Sequence, residues 1–152
     1  AFAKSQMAAG FRLPLEGQVY ISVHDTHKER IVPIAKTFRD LGFKLVGTRG
    51  TAAYLNGHGV EVKAIHKLTE GRPHVVDYIK NGDIQLMINT SVGRKSSFDG
   101  YNIRRGALVY NVPYTTTLSG ARALSEAIAA LKAEDWGVCS LQEYHTNIQK
   151  VV

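Results

Sequence analysis

Short runs rich in β-branched and aromatic residues alternate along this chain with segments whose apolar residues recur at helical spacing, and this alternation constrains the fold most. Residues 18–24 (QVYISVH) read as a strand. Ile31, Ile34, Ala35, Phe38 and Leu41 then share one helical face, with Asp25 or Thr26 as N-cap and Gly42 as the stop. Residues 43–47 form a second strand, and Thr48-Arg49-Gly50-Thr51 is a turn that opens a short helix through Ala52, Ala53 and Leu55. A third strand is expected over 60–65. A third helix follows over 72–80, with Pro73 near its first turn, Val75, Val76 and Ile79 inward, and Asn81-Gly82 as its stop. Residues 84–88 are nearly all apolar, as suits a strand covered on both faces. Residues 89–100 read as a polar loop, Ile103, Ala107 and Leu108 as another helix, and 112–115 as a fifth strand. Leu118, Ala121, Leu124, Ile128 and Leu131 mark a long final helix, and 138–141 reads as a short strand in the tail.

Strand–helix alternation of this kind predicts right-handed crossovers and helices on both faces of a sheet. The expected fold class is α/β: a single three-layer sandwich around a mainly parallel five-stranded sheet. The 152 residues suit one domain. Leu13-Pro14-Leu15-Glu16-Gly17 reads as a linker, so residues 1–17 are expected to be the end of a preceding domain plus linker, and 18–152 the domain itself. Ala1-Phe2-Ala3-Lys4-Ser5-Gln6-Met7 reads as the end of a helix cut from a longer polypeptide.

Composition excludes several classes of function. With 44% hydrophobic and 21% charged residues the chain reads as globular. No apolar run approaches a membrane span, and the first ten residues lack the pattern of a secretion signal. The single cysteine, Cys139, allows no intrachain disulfide and fits a reducing, cytoplasmic setting. The net charge of +6 is scattered rather than blocked, so nucleic-acid binding is not expected. The six histidines show no metal-ligand spacing: His24 and His27 are close in sequence, but one ends a strand and the other lies in a turn. Trp136 and Tyr144 read as packing anchors, and Arg104-Arg105 as helix surface or a contact with a neighbouring domain.

In open α/β sheets ligands bind beyond the carboxyl ends of the strands. Those loops hold Asp25-Thr26-His27-Lys28, then Thr48-Arg49-Gly50-Thr51, then His66-Lys67, then Asn89-Thr90-Ser91-Val92-Gly93. Two lysines, several hydroxyls, an amide and glycines are thereby gathered on one edge. Thr51 would stand at a helix N-terminus, where free N–H groups and the helix dipole favour an anion. That is the inventory of a phosphate site, although neither a Walker loop nor the dinucleotide glycine pattern is present.

These segments carry a family resemblance. Thr48-Arg49-Gly50-Thr51, Lys67 with Glu70-Gly71-Arg72-Pro73-His74, Ile88-Asn89-Thr90 and Ile103-Arg104-Arg105 resemble the C-terminal allosteric domain of carbamoyl-phosphate synthase large subunits. Tyr114-Thr115-Thr116-Thr117-Leu118-Ser119-Gly120 resembles the segment before that domain's last helix. The resemblance implies a Rossmann-like, methylglyoxal-synthase-like fold and a regulatory role: binding UMP as inhibitor, IMP as activator, or both. It implies that Lys28, Thr48, Thr51 and Lys67 hold the effector phosphate. Ser22, Asn89, Thr90, Ser91 and Asp99 would lie near the ribose and base. Tyr114 and Thr116 match positions associated with ornithine. The implied partners are UMP or IMP, ornithine, the remainder of the large subunit, the small glutaminase subunit and, in some settings, further copies of the chain. No cofactor is implied for this segment; ATP, magnesium and potassium would belong to the parent enzyme, a ligase of arginine and pyrimidine biosynthesis. Lys67 favours a nucleotide phosphate over N-acetylglutamate, because the relatives that sense the latter carry an aromatic residue there. Arg49 departs from the histidine frequent at its position. Two other readings stay open: methylglyoxal synthase itself, which requires carboxylates where Arg72 and Tyr101 stand, and a structural self-association domain with no effector.

Overall fold

The computed structural model describes residues 13–66, 71–90 and 94–147, with residues 94–100 and 134–147 described by backbone alone. Strands β1 (Gln18–Val23), β2 (Lys44–Gly47), β3 (Lys63–Ala64), β4 (Leu86–Thr90) and β5 (Tyr114–Thr115) form one sheet in the order β3-β2-β1-β4-β5. Every pairing is parallel, so the fold is a fully parallel α/β sandwich. A 3-10 turn over Asp25–His27 leads into α1 (Lys28–Asp40). Helices α2 (Arg49–Gly57), α3 (Val75–Lys80), α4 (Arg94–Val109) and α5 (Leu118–Asn147) complete the alternation.

Two apolar clusters sandwich the sheet, and strand alternation assigns residues to them. Val19, Ile21 and Val23 of β1, Leu45 of β2, and Leu86 and Ile88 of β4 face a cluster built with α1, α2 and α5. Tyr20, Val46 and Met87 point the other way, into a cluster built with α3 and α4. β4 is buried along its whole length because it is covered on both faces. On α1 the buried set is Ile31, Ile34, Ala35 and Phe38, the i, i+3, i+4, i+7 stripe of an amphipathic helix. Phe38 meets Phe43 edge to face at 5.8 Å between centroids; truncating such a ring to Ala costs about 3–5 kcal/mol. Gly42, at φ +96°, turns the chain out of α1 into β2. Lys132 on α5 ties this corner down. Its ammonium donates to the carbonyls of Leu15 (2.8 Å) and Leu41 and lies 5.7 Å from the centre of the Phe43 ring.

Several sequence expectations shift. Asp25 and Thr26 do not cap α1; they lie inside the 3-10 turn, where His24 is the cap and its Nδ1 accepts from the Thr26 N–H at 3.2 Å. The third strand pairs only over Lys63–Ala64, although Val60, Val62 and Ile65 are buried around it. The helix expected from residue 72 starts at Val75: the Asp77 carboxylate accepts from the His74 N–H at 2.9 Å, fixing His74 as the cap and leaving Pro73 outside. The loop expected over 89–100 is largely absent, because Asn89 and Thr90 complete β4 and α4 begins at Arg94. The helix expected around Ile103, Ala107 and Leu108 forms as α4; Ile103 and Ala107, four apart, define its buried face, and Leu108 is 67% exposed. No strand forms over 138–141; those residues continue α5. Cys139, Trp136 and Tyr144 lie where only the backbone is described.

Candidate functional site

The chain runs outward through β1, β2 and β3, then returns to the far side of β1 to lay down β4 and β5. The direction of winding therefore reverses between β1 and β4. In a doubly wound sheet the loops leaving two such strands diverge to opposite faces and open a crevice at their carboxyl ends. Here that edge is bounded by His24 after β1 and Thr90 at the end of β4, with Ser22 paired to Asn89 and Val23 to Thr90. The Thr90 carbonyl accepts from the His24 N–H at 3.3 Å, closing the sheet at its lip.

On the α1–α2 side of this edge the hydroxyls form a buried network. The Thr48 hydroxyl donates to Thr51 Oγ1 at 3.1 Å, and Thr51 Oγ1 accepts from the Val23 N–H at 3.3 Å. Thr90 Oγ1 accepts from the His24 N–H at 3.4 Å and meets His27 Nδ1 at 2.8 Å. Thr48, Thr51 and Thr90 are each at most 5% exposed. Buried hydroxyls with satisfied partners hold a shape; these three tie the ends of β1, β2 and β4 and the start of α2 into one rigid rim.

The charge at the rim is Lys28. It is the first residue of α1, its side chain is only 17% exposed, and it pairs with Asp25, whose side chain is 85% exposed. Its Nζ lies 3.3 Å from the point a Cβ on Gly50 would occupy, so the ammonium rests over the first turn of α2. The helical ladder of α2 opens with Ala52 N–H donating to the Thr48 carbonyl at 2.8 Å. The N–H groups before Ala52 face the helix entrance, as first-turn donors do. A lysine ammonium above a helix N-terminus supplies a point charge and oriented donors together, a combination suited to a phosphate.

The other side of the edge differs. Ser22 and Asn89 sit on the opposite face from Thr90, by strand alternation. The Asn89 side chain is hydrogen-bonded to Tyr114 of β5. Burial raises the pKa of the Tyr114 phenol above its ordinary value, against the opposing pull of Arg104's charge and the Asn89 hydrogen bond. Tyr114 packs on the α3–α4 cluster, and Thr116 is exposed in the turn before α5. Near β3, Asp77 is held below its usual value, first by the His74 N–H and then by the Arg72 guanidinium at 2.9 Å.

Of the residues expected at the site, Lys28, Thr48, Thr51 and Thr90 meet on one rim. Ser22 and Asn89 lie at the same edge on the other face of the sheet, and Asn89 joins Tyr114. Lys67 and Ser91 lie outside the described residues, as does the side chain of Asp99. Two features escaped the sequence reading: Gly50, whose missing side chain admits the Lys28 ammonium, and His27, bonded to Thr90. Among the described residues no group of three or more His, Cys, Asp or Glu stands ready to hold a metal ion, and no helix is long and apolar enough to cross a membrane.

Known proteins align with this chain throughout most of its length. The family model described as MGS-like domain matches residues 30–116. The chain is 48% identical over 144 residues to the carbamoyl phosphate synthase large chain of Rhizobium meliloti, covering 95% of itself and 12% of that protein. It is 47% identical over 146 residues to the carbamoyl phosphate synthase large chain, C-terminal section, of Methanopyrus kandleri, of which it covers 27%. It is 44% identical over 146 residues to the large chain of Archaeoglobus fulgidus, of which it covers 14%. The chain thus spans between 12% and 27% of the length of these relatives.

Proposed function

The chain belongs to the MGS-like domain family, and on that premise we propose that it is an allosteric domain that binds a nucleoside monophosphate, UMP or IMP, at the carboxyl edge of its sheet. The observation that carries this reading is the Lys28 ammonium resting over the first turn of α2 at the reversal point of the sheet. The rim already holds one carboxylate, Asp25, against Lys28, so a phosphate has a cation to exchange for. Lys67, outside the described residues, is the second cation of the proposal. Asn89, Thr90, Ser91, Ser22 and Asp99 would shape the ribose and base side. Thr48 and Thr51 serve by fixing the rim on which the phosphate sits.

In this proposal the chain is the regulatory end of a carbamoyl-phosphate synthase large chain, in line with the names of its relatives. The reaction would belong to the rest of that enzyme, with its ATP, magnesium, potassium and glutaminase subunit. Tyr114 and Thr116 would contribute to an ornithine site shared with a neighbouring domain. The enzyme alternative, methylglyoxal synthesis, needs carboxylates to move protons, and the positions aligned with them hold Arg72 and Tyr101. Arg72 pairs with Asp77, and Tyr101 is 57% exposed.

Thermal unfolding with nucleoside monophosphates tests the reading. A ligand that binds only the folded chain, present at about 100 times its Kd, adds about 2.7 kcal/mol, or roughly 5–10 °C in Tm for a domain of this size. UMP or IMP should give that shift and the free nucleosides should not. Equal shifts from uridine and UMP would show that no phosphate is recognised.

A further inference from the structure

We infer that His27 is an additional anion ligand of the rim and makes its affinity for a doubly charged oxyanion rise as pH falls. The inference rests on the phosphate site proposed above and extends it to a residue that site does not include. His27 directly precedes Lys28 and is half-buried at the start of α1, beside the carboxyl ends of β1 and β4. Its Nδ1 lies 2.8 Å from Thr90 Oγ1. That oxygen also accepts from the His24 N–H. The Thr90 hydroxyl hydrogen can donate to His27 Nδ1, and in that tautomer the proton of the neutral ring is on Nε2. When the ring is protonated, Nδ1–H donates to Thr90 Oγ1 and Nε2 keeps its hydrogen. In the protonated ring Nε2, on the far edge, is therefore a donor that carries positive charge whichever neutral tautomer precedes it.

Among the described residues, the ring's partners Thr90 and His24 carry no negative charge. His24 meets the ring edge-on at 6.2 Å between centroids. Lys28 and the first turn of α2 add positive potential, while Thr90 of β4 is neutral. Asp25 is taken up by Lys28, and Glu29 and Arg30 in the first turn of α1 are exposed. Among the described residues no carboxylate pairs with His27. Imidazole is the side chain that gains charge between about pH 8 and about pH 5. A proton on the ring and an oxyanion beside it attract each other, so proton and oxyanion binding reinforce each other.

The test is a titration of the chain with sulfate, whose two charges stay constant across this range, followed by long-range proton–nitrogen NMR of the histidine rings. Sulfate should bind about tenfold tighter at about pH 5.5 than at about pH 7.5, and the His27 Nε2 resonance should move on binding. His27→Asn keeps a polar atom for Thr90 but has no Nε2; it should bind sulfate with an affinity nearly independent of pH, with an unchanged Tm showing the rim intact. A His27→Asn variant with the full pH dependence, or an Nε2 resonance unmoved by sulfate, would overturn the inference while Lys28→Ala still lost binding. If Lys28→Ala bound sulfate as the parent does, the phosphate site itself would fall, and this extension with it.

Discussion

Gly50→Ala separates stability from ligand binding at the rim. Gly50 is the second residue of α2, and no positive φ requires glycine there. Ala is a better helix former than Gly by about 0.8–1.0 kcal/mol in a helix interior, and somewhat less near an end, so the variant should be as stable as the parent or up to about 1 kcal/mol more so. The new Cβ would sit 3.3 Å from Lys28 Nζ, tighter than ordinary contact. The ammonium is the mobile end of a flexible side chain, so it moves while the backbone stays. Drawing it back by a few tenths of an ångström, from about 3.0 to about 3.3 Å from a phosphate oxygen, weakens their attraction by about 0.5 kcal/mol at an effective dielectric constant near 20. That is about twofold in Kd. The assay is chemical denaturation for stability and calorimetry for UMP or IMP affinity. A variant of unchanged or raised stability with about twofold weaker binding is expected. Unchanged affinity would refute the idea that Lys28 and the start of α2 hold the anion together.

Three further perturbations test the frame around the site. Lys132→Met removes the ammonium that holds the Leu15 and Leu41 carbonyls; a loss of about 1–2 kcal/mol in urea denaturation is expected, below the range for fully buried charged hydrogen bonds because the lysine is partly exposed. Gly47→Ala would place a Cβ 2.4 Å from the Ile21 carbonyl oxygen across the β1–β2 ladder; a cost of about 1–3 kcal/mol should appear as a Tm lower by several degrees. Asp77 has its folded pKa lowered from 3.8, so it contributes stability above that pH, lost as pH falls through the folded value. Asp77→Asn should therefore lower Tm near neutral pH and converge with the parent in acid, whereas a pH-independent difference would argue against the His74 and Arg72 contacts as its cause.

The order of elements was legible because each apolar period matches its element, and Phe38, Ile79 and Ile128 are buried where the stripes placed them. The errors fall where local polarity and tertiary position disagree. Asn89 and Thr90 are polar yet extend β4, because their backbone pairs with β1 and their side chains find partners at the crest. Leu108, on a helix that forms as expected, is apolar yet exposed, since burial on α4 follows the face that meets α3 rather than hydrophobicity alone. At the candidate site, the segments that loop composition singled out do gather at one sheet edge, but the roles of the hydroxyls were hidden. Thr48 and Thr51 bond to each other and to Val23, partners made neighbours only by folding. The approach of Lys28 to Gly50 spans two helices and leaves no mark in either segment. Neither does the bond from His27 to Thr90, which joins residues 63 positions apart.

The central claim is that this domain recognises a nucleotide through its phosphate at Lys28. The direct measurement is calorimetric titration of the chain and of its Lys28→Ala variant with UMP and with IMP, with melting curves to show that both are folded. A charge-assisted contact is worth about 1.5–3 kcal/mol, reduced by up to about 1 for the surface pair with Asp25 that the nucleotide displaces. The account predicts saturable binding of at least one nucleotide by the parent, and a loss of roughly twofold to a hundredfold in the variant. Equal affinities in the two proteins, or no binding of either nucleotide by a folded parent chain, would contradict it.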